Sequence, residues 1–129
     1  MEARAFKASV VFLAVVFLTS CAHRMVGTWS VQRYENTTPG QQGVALHNIG
    51  TIQFNKNGSG EKNVSYTVLG TTHEDKTPFQ WTWHEDKYVV IKSEASDFAK
   101  TWIIMTNKGK FQKWKATEGD HIQILELKK

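Results

Sequence analysis

The chain has 129 residues, a formal net charge of +4 and 40% hydrophobic residues, which is typical of one small globular domain. Its basic side chains are scattered, apart from a cluster at Lys108, Lys110, Lys113 and Lys115. Because proteins that bind nucleic acids concentrate positive charge along one stripe, this distribution argues against such a partner. The cluster fits a solvated strand face that discourages pairing with another chain.

The first twenty residues have the pattern of an export signal. Arg4 and Lys7 precede an apolar run from Ala8 to Leu18. This run is too short for a transmembrane helix, which needs about 20 residues, and it predicts a secretory signal peptide. A buried core helix is the alternative. Cys21, the only cysteine in the chain, follows directly after Ser20.

The stretch Leu-Thr-Ser-Cys at residues 18–21 resembles the lipobox of bacterial lipoproteins. This resemblance implies that residues 1–20 are cleaved and that Cys21 carries palmitate-type acyl chains, each buried CH₂ contributing about 0.8 kcal/mol to membrane attachment. Residues 21–25 would then be a short tether. Because none of the four residues directly after Cys21 is acidic, we expect an outer-membrane anchor that faces the periplasm. The alternative is an ordinary secretory signal followed by a chance cysteine.

Residues 26–129 read as a single domain of strands with no convincing helix. The predicted strands cover residues 26–36, 49–55, 62–69, 79–84, 88–92, 98–106, 110–116 and 121–129. Alternation is clearest where Phe79, Trp81 and Trp83 share one face. Asn57-Gly58 predicts a hairpin turn, and residues 70–78 are predicted as a loop. In the last strand the apolar side chains change phase, which predicts a bulge or burial on both faces.

The number of strands and their short connections predict an all-β fold. Neighbouring strands joined by short turns pair antiparallel, and an eight-stranded meander removes its edges by closing into an up-and-down barrel. A two-layer β-sandwich is the alternative.

Three segments carry a further resemblance. Gly27-Thr28-Trp29, the segment at residues 50–60 and the aromatic segment at residues 79–83 resemble the lipocalin-like domains of small bacterial lipoproteins of the Bacteroidetes type. This resemblance implies a calycin-like barrel in which Gly27 and Trp29 close one end. It also implies a basic side chain from late in the chain that packs on Trp29, with Lys113, Lys115 or Lys128 as candidates.

The sequence shows no catalytic or metal-binding constellation. Ser59 lies in the Asn-Gly hairpin, and the carboxylate pairs Glu74-Asp75 and Glu85-Asp86 are predicted to lie in turns. No histidine spacing matches a zinc site; the histidines are His23, His47, His73, His84 and His121. We therefore expect a protein that is not an enzyme and has no cofactor.

The excess of aromatic residues supports two functional hypotheses. An eight-stranded barrel is wide enough to be filled by side chains or to hold one small ligand. The first hypothesis is a binding protein for a small apolar or amphipathic molecule held inside the barrel. The walls of its site would be Phe54, Tyr66, Trp81, Trp83 and Trp102. Polar groups would come from Tyr34, Gln53 and Thr82. The second is an envelope lipoprotein with a filled barrel that binds a protein partner, as an enzyme inhibitor or an assembly factor.

Overall fold

The computed structural model describes residues 23–129, and the predicted signal peptide and Cys21 lie outside the described residues. A 3₁₀ turn at His23–Met25 precedes nine strands. They are β1 Gly27–Thr37, β2 Val44–Phe54, β3 Ser59–Val68, β4 Thr71–Asp75, β5 Phe79–His84, β6 Tyr88–Lys92, β7 Thr101–Lys108, β8 Phe111–Glu118 and β9 His121–Lys128. No helix among the described residues is long and apolar enough to cross a membrane.

Eight of these strands form a closed antiparallel barrel, as the sequence predicted. Each barrel strand pairs with the next along the chain, and β9 pairs with β1 to close the sheet. The β1–β9 contact runs from Ser30 opposite Lys128 to Thr37 opposite Ile122. A closed sheet of this kind leaves no free edge around the barrel. The two-layer sandwich is therefore excluded.

The remaining strand, β4, corrects the prediction that residues 70–78 form a loop. Asp75 of β4 opposes Val64 of β3, and Phe79 of β5 opposes Gly60, so both strands share one antiparallel register along β3. Thus β4 and β5 lie end to end along β3, separated by residues 76–78, and β4 continues the line of β5 towards one end of the barrel. The sequence missed this strand because its side chains are polar and mostly exposed, without apolar alternation.

The barrel wall splits where β2 bends. Gly50 has φ of +141°, and a Cβ there would lie 2.0 Å from the carbonyl oxygen of Asn63 on β3. Only glycine permits that approach. Asn48, with φ of 54°, adds to the bend. Since β2 pairs with β3 only from Gly50 to Phe54, the first half of β2 leaves the end of β3 and widens one end of the barrel.

Aromatic side chains fill the other half of the interior. Phe54 packs edge to face against the rings of Phe79, Trp81 and Trp114, with centroids 5.3, 5.3 and 6.0 Å away. Edge-to-face pairs at such distances are favourable beyond the area they bury. Phe54 and Trp114 are almost completely buried. The described aromatic residues therefore pack this half of the barrel as a core.

Trp29 lies buried at the filled end of the barrel. Its indole nitrogen donates to the carbonyl oxygen of Met25 at 2.9 Å, and both side chains are fully buried. The basic partner is Lys129, whose Nζ lies 5.5 Å from the Trp29 ring centroid and donates to the carbonyl oxygen of Val26. None of the three lysines proposed from the sequence has this position. Met25, assigned to the tether by the sequence, packs in the core.

In the last strand, the predicted change of phase arises because apolar side chains lie on both faces of β9. Along β9 the register with β8 is continuous, with Leu125 and Leu127 buried and Ile122 and Ile124 half-buried on the outer face. The bulge lies in β1 instead, between Val31 and Arg33. Residue 98 was also placed in a strand, but β7 begins at Thr101 and Phe98 is a buried residue of the preceding connection.

Candidate functional site

The widened end of the barrel holds a cavity of about 300 Å³, which we call the mouth pocket. Its walls come from the last parts of β1 and β3, the first part of β2, β4, β9 and two connections. The lining residues are Tyr34, Asn36, Thr38, Gln41, Gln42, Val44, Leu46, Tyr66, Val68, His73, Asp97 and His121. One wall is apolar and the rest offers polar groups, a combination typical of small-molecule sites.

Tyr34 lies at the floor of the mouth pocket and packs against Phe98, a buried residue outside the pocket lining. Their ring centroids are 5.1 Å apart, and both side chains are at least 96% buried. The Tyr34 hydroxyl accepts a hydrogen bond from Gln123 Nε2 at 3.1 Å. Burial, followed by the negative charge of Asp97, raises the pKa of Tyr34 far above its usual value. The floor therefore keeps a protonated phenol, which can donate to an acceptor atom of a ligand.

Tyr66, His73 and Asp97 form one side of the mouth pocket. Tyr66 and His73 oppose each other on β3 and β4, and their rings stack with centroids 5.2 Å apart. The Tyr66 hydroxyl donates to Asp97 Oδ2 at 2.9 Å. Burial and this carboxylate raise the pKa of Tyr66. The contact fixes the Asp97 side chain against the barrel and leaves its other oxygen to accept further hydrogen bonds.

A buried polar network lies beside the mouth pocket. Lys62 points into the barrel, with a side chain only 1% exposed, and its Nζ lies 3.2 Å from Asp75 Oδ1. Lys62 also donates to Ser93 Oγ at 2.9 Å and to Ser96 Oγ at 2.7 Å. Asp75 accepts further bonds from Thr77 and Ser96. The network joins β3 and β4 to the connection that carries Asp97.

This network is structural. Lys62 has three protons, and the three neighbouring oxygens account for all of them. Burial alone would raise the pKa of Asp75, but hydrogen bonds from Ser96, Thr77 and Lys62 outweigh it and lower that pKa. Burial also lowers the pKa of Lys62, an effect that Asp75 only partly offsets. Lys62 Nζ donates to Ser96 Oγ and lies against the Asp75 carboxylate, so it links these groups and holds them in place.

Of the five ligand-binding residues predicted from the sequence, the mouth pocket includes only Tyr66. Phe54 and Trp81 belong to the filled half of the barrel, where Trp81 Nε1 donates to the carbonyl oxygens of Asn55 and Ser59. Trp102 is fully buried, and its indole nitrogen donates to the carbonyl oxygen of Phe98. These three rings act as core.

The remaining predicted residue, Trp83, is half-buried near the filled end. Its indole nitrogen donates to Asp86 Oδ1 at 2.8 Å across the turn between β5 and β6. Two of the three predicted polar groups, Gln53 and Thr82, point out of the barrel and are exposed. Tyr34 is the third and lies at the pocket floor.

Sequence reasoning missed most of the mouth pocket. Val44 and Leu46 were overlooked because the second strand was predicted to begin at residue 49. His73 and Asp97 were placed in connections, and only β4 and the buried network bring these exposed residues to the edge of the mouth pocket. One pocket residue could have been found from the sequence. Trp29 and Val31 before the bulge of β1 and Tyr34 after it are all buried, so the apolar pattern of this strand places Tyr34 inside the barrel.

A second groove, of about 660 Å³, lies on the outer wall of β5 and β6. Gln80 and Lys92, which line it, are exposed side chains on the outer face of the sheet. Phe79 also lines this groove, but its ring belongs to the packed core. Because the groove lies outside the barrel, the mouth pocket is the stronger candidate. Residues 23–129 contain no group of three potential metal ligands.

Comparison of the chain with protein-family models, with curated proteins and with solved structures gave no match. The function must therefore be inferred from the geometry and chemistry of the site.

Proposed function

We propose that this protein is a lipid-anchored protein of the bacterial envelope that binds a small amphipathic molecule in the mouth pocket. The observation that carries this proposal is the pocket itself, an open cavity of about 300 Å³ above a filled barrel. Val44, Leu46 and Val68 contribute apolar lining, and Tyr34 contributes a phenol. Such a site favours a ligand with an apolar body and at least one polar group.

The filled half of the barrel limits the size of the ligand. Phe98 and Tyr34 separate the mouth pocket from the aromatic core, so a long acyl chain has no tunnel to occupy. A volume near 300 Å³ is at the lower end of the range for small-molecule sites, about 300 to 1,000 Å³. We therefore expect a compact ligand and not a fatty acid or a whole phospholipid.

The position of the first described residues bears on how an anchored barrel would be oriented. Met25 packs under Trp29 at the filled end, opposite the mouth pocket. The four residue steps from Cys21 to Met25 span at most about 14 Å, so an acylated Cys21 would hold the filled end close to the membrane. The mouth pocket would then open away from the anchoring bilayer and receive its ligand from the aqueous side.

Ligand capture provides the test of the binding function. The purified protein is incubated with an envelope extract and examined by native mass spectrometry. We expect saturable binding of a compact molecule to the wild type. Leu46→Trp, which fills the mouth pocket, should abolish it, whereas Ile103→Trp on the exposed outer wall should leave it unchanged. Equal binding to both variants, or none to the wild type, would refute the proposal.

The anchor has its own test. Cys21→Ser should prevent acylation and move the protein from the membrane fraction to the soluble fraction of the envelope. Ser20→Ala, which keeps a small residue before the cysteine, is the matched control and should leave acylation intact. Membrane association that survives Cys21→Ser would remove the lipid anchor from the proposal and leave the binding site unaffected.

A second candidate function, binding of an envelope protein, is favoured by apolar side chains on the outer wall. Tyr88 and Ile103 oppose each other on β6 and β7, and Met105 follows. These side chains are 36%, 49% and 56% exposed. Cross-linking in intact cells should identify a specific partner whose capture is lost in the Ile103→Lys/Met105→Lys variant and kept in Leu46→Trp. The opposite pattern would favour the mouth pocket.

A further inference from the structure

The charges around the mouth pocket differ from those of the chain as a whole. The chain has 16 Lys and Arg residues against 12 Asp and Glu. Yet among the described residues that line the pocket there is no lysine or arginine, and Asp97 is the carboxylate. A neighbouring cavity of about 270 Å³ shares Tyr66, His73 and Asp97 with it and adds Glu74 and Asp75. The positive charge of Lys62 is paired with the carboxylate of Asp75 and leaves the negative charges of Glu74 and Asp97 uncompensated by this lysine.

The two tyrosines of the pocket respond to this negative potential. Besides burial, the negative charges of Asp97 and Glu118 raise the pKa of Tyr34, and those of Asp97 and Asp75 raise the pKa of Tyr66. Lys100 is held by Gln123, the partner of Tyr34, and by Glu118, its Nζ lying 3.5 Å from Glu118 Oε2. The site is thus unfavourable for an anion.

From this arrangement we propose that the ligand of the mouth pocket is an organic cation, a compact amine or ammonium compound with an apolar body. This inference rests on the proposed binding function and adds the chemical class of the ligand. The ammonium group would lie at the Asp97 carboxylate and beside the faces of Tyr66 and His73, since aromatic faces attract cations. The apolar body would lie against Val44 and Leu46.

The site is built for this contact. Asp97 is held by the Tyr66 hydroxyl at 2.9 Å, and its connection is fixed by the bonds of Ser96 to Lys62 and Asp75. A carboxylate held in place before binding loses little side-chain entropy when it meets a cation. The Tyr34 hydroxyl, protonated at neutral pH, can donate to a hydroxyl or carbonyl oxygen of the same ligand.

Three probes of matched shape test the charge preference. They are 2-phenylethylammonium, 2-phenylethanol and phenylacetate, which share an aromatic body and carry a positive, neutral and negative head group. The full-length protein in lipid nanodiscs is titrated with each probe by saturation-transfer NMR, and empty nanodiscs provide the blank. We expect the cation to bind about fivefold more tightly than the alcohol, and the anion more weakly than the alcohol.

Asp97→Asn separates charge from shape, because the amide oxygen still accepts from Tyr66. It should weaken binding of the cation about fivefold and change binding of the alcohol less than twofold. Glu85→Gln, at an exposed turn of the filled end, should change neither.

Several results would overturn the proposed ligand class. Equal or tighter binding of phenylacetate would do so, and so would an Asp97→Asn variant that binds the cation as well as the wild type. Either result leaves the binding function intact, provided that Leu46→Trp abolishes the signal. If none of the probes binds the wild type, the cation class is wrong, and the extract experiment judges the binding function separately.

Discussion

Replacement of Asp75 by asparagine tests the buried network that holds the mouth pocket together. Lys62 Nζ and Asp75 Oδ1 are 3.2 Å apart, and the two side chains are 1% and 13% exposed. At an effective dielectric constant of about 20, their attraction is roughly 5 kcal/mol, and it offsets the desolvation of both charges. The substitution keeps the shape but leaves the Lys62 ammonium buried without its counter-charge.

We expect Asp75→Asn to lower the free energy of unfolding by about 3 kcal/mol at pH 7. Denaturation by urea, followed by tryptophan fluorescence, measures this change. Glu85→Gln is the matched control, because Glu85 and Lys87 form a pair whose side chains are 84% and 76% exposed. Its effect should stay within about 0.5 kcal/mol. The reasoning is refuted if both variants lose the same stability or if Asp75→Asn loses less than about 1 kcal/mol.

The pH dependence gives a second readout of the same pair. Because the folded pKa of Asp75 lies below its unfolded value of about 3.9, its ionisation stabilises the fold fully above that pH. This contribution is lost as the pH falls through the lower, folded pKa. The stability difference between the wild type and Asp75→Asn should therefore narrow below about pH 4. A difference that stays constant down to acid unfolding would show that Asp75 does not act through its charge.

Three further substitutions test separate parts of the fold by the same denaturation assay. Gly50→Ala should cost more than about 3 kcal/mol, since its Cβ would lie 2.0 Å from a backbone oxygen, whereas Gly109→Ala meets no atom within 4 Å and should be nearly neutral. Leu69→Asn should stabilise by about 0.5 kcal/mol, because Leu69 is fully exposed with φ of 50°, a conformation that asparagine tolerates better; a loss of stability would contradict this. Lys129→Met should cost about 1 kcal/mol through loss of its contacts with Trp29 and a backbone carbonyl, and an unchanged midpoint would show that Lys129 does not close the barrel.

The amino-acid sequence by itself determined the all-β fold class, but it left open whether the aromatic rings fill the barrel or line a ligand site. Side chains of a strand alternate between two faces, so the spacing of Phe79, Trp81 and Trp83 gave a strand and its inner face directly. The Asn57-Gly58 turn is equally local, and Gly58 has φ of +87° as that hairpin requires. These features depend on residues within a few positions of each other, which a single sequence displays.

Only the tertiary structure decided where the site lies. Lys62 meets Ser93 and Ser96 from 31 and 34 residues away, and Gln123 meets Tyr34 from 89 residues away. The mouth pocket exists because β2 stops pairing with β3 at Gly50, and that break depends on how the whole barrel closes. Alternation within a strand carries no information about where two strands separate. The sequence therefore placed the ligand among aromatic residues that pack as core, whereas less conspicuous residues line the pocket.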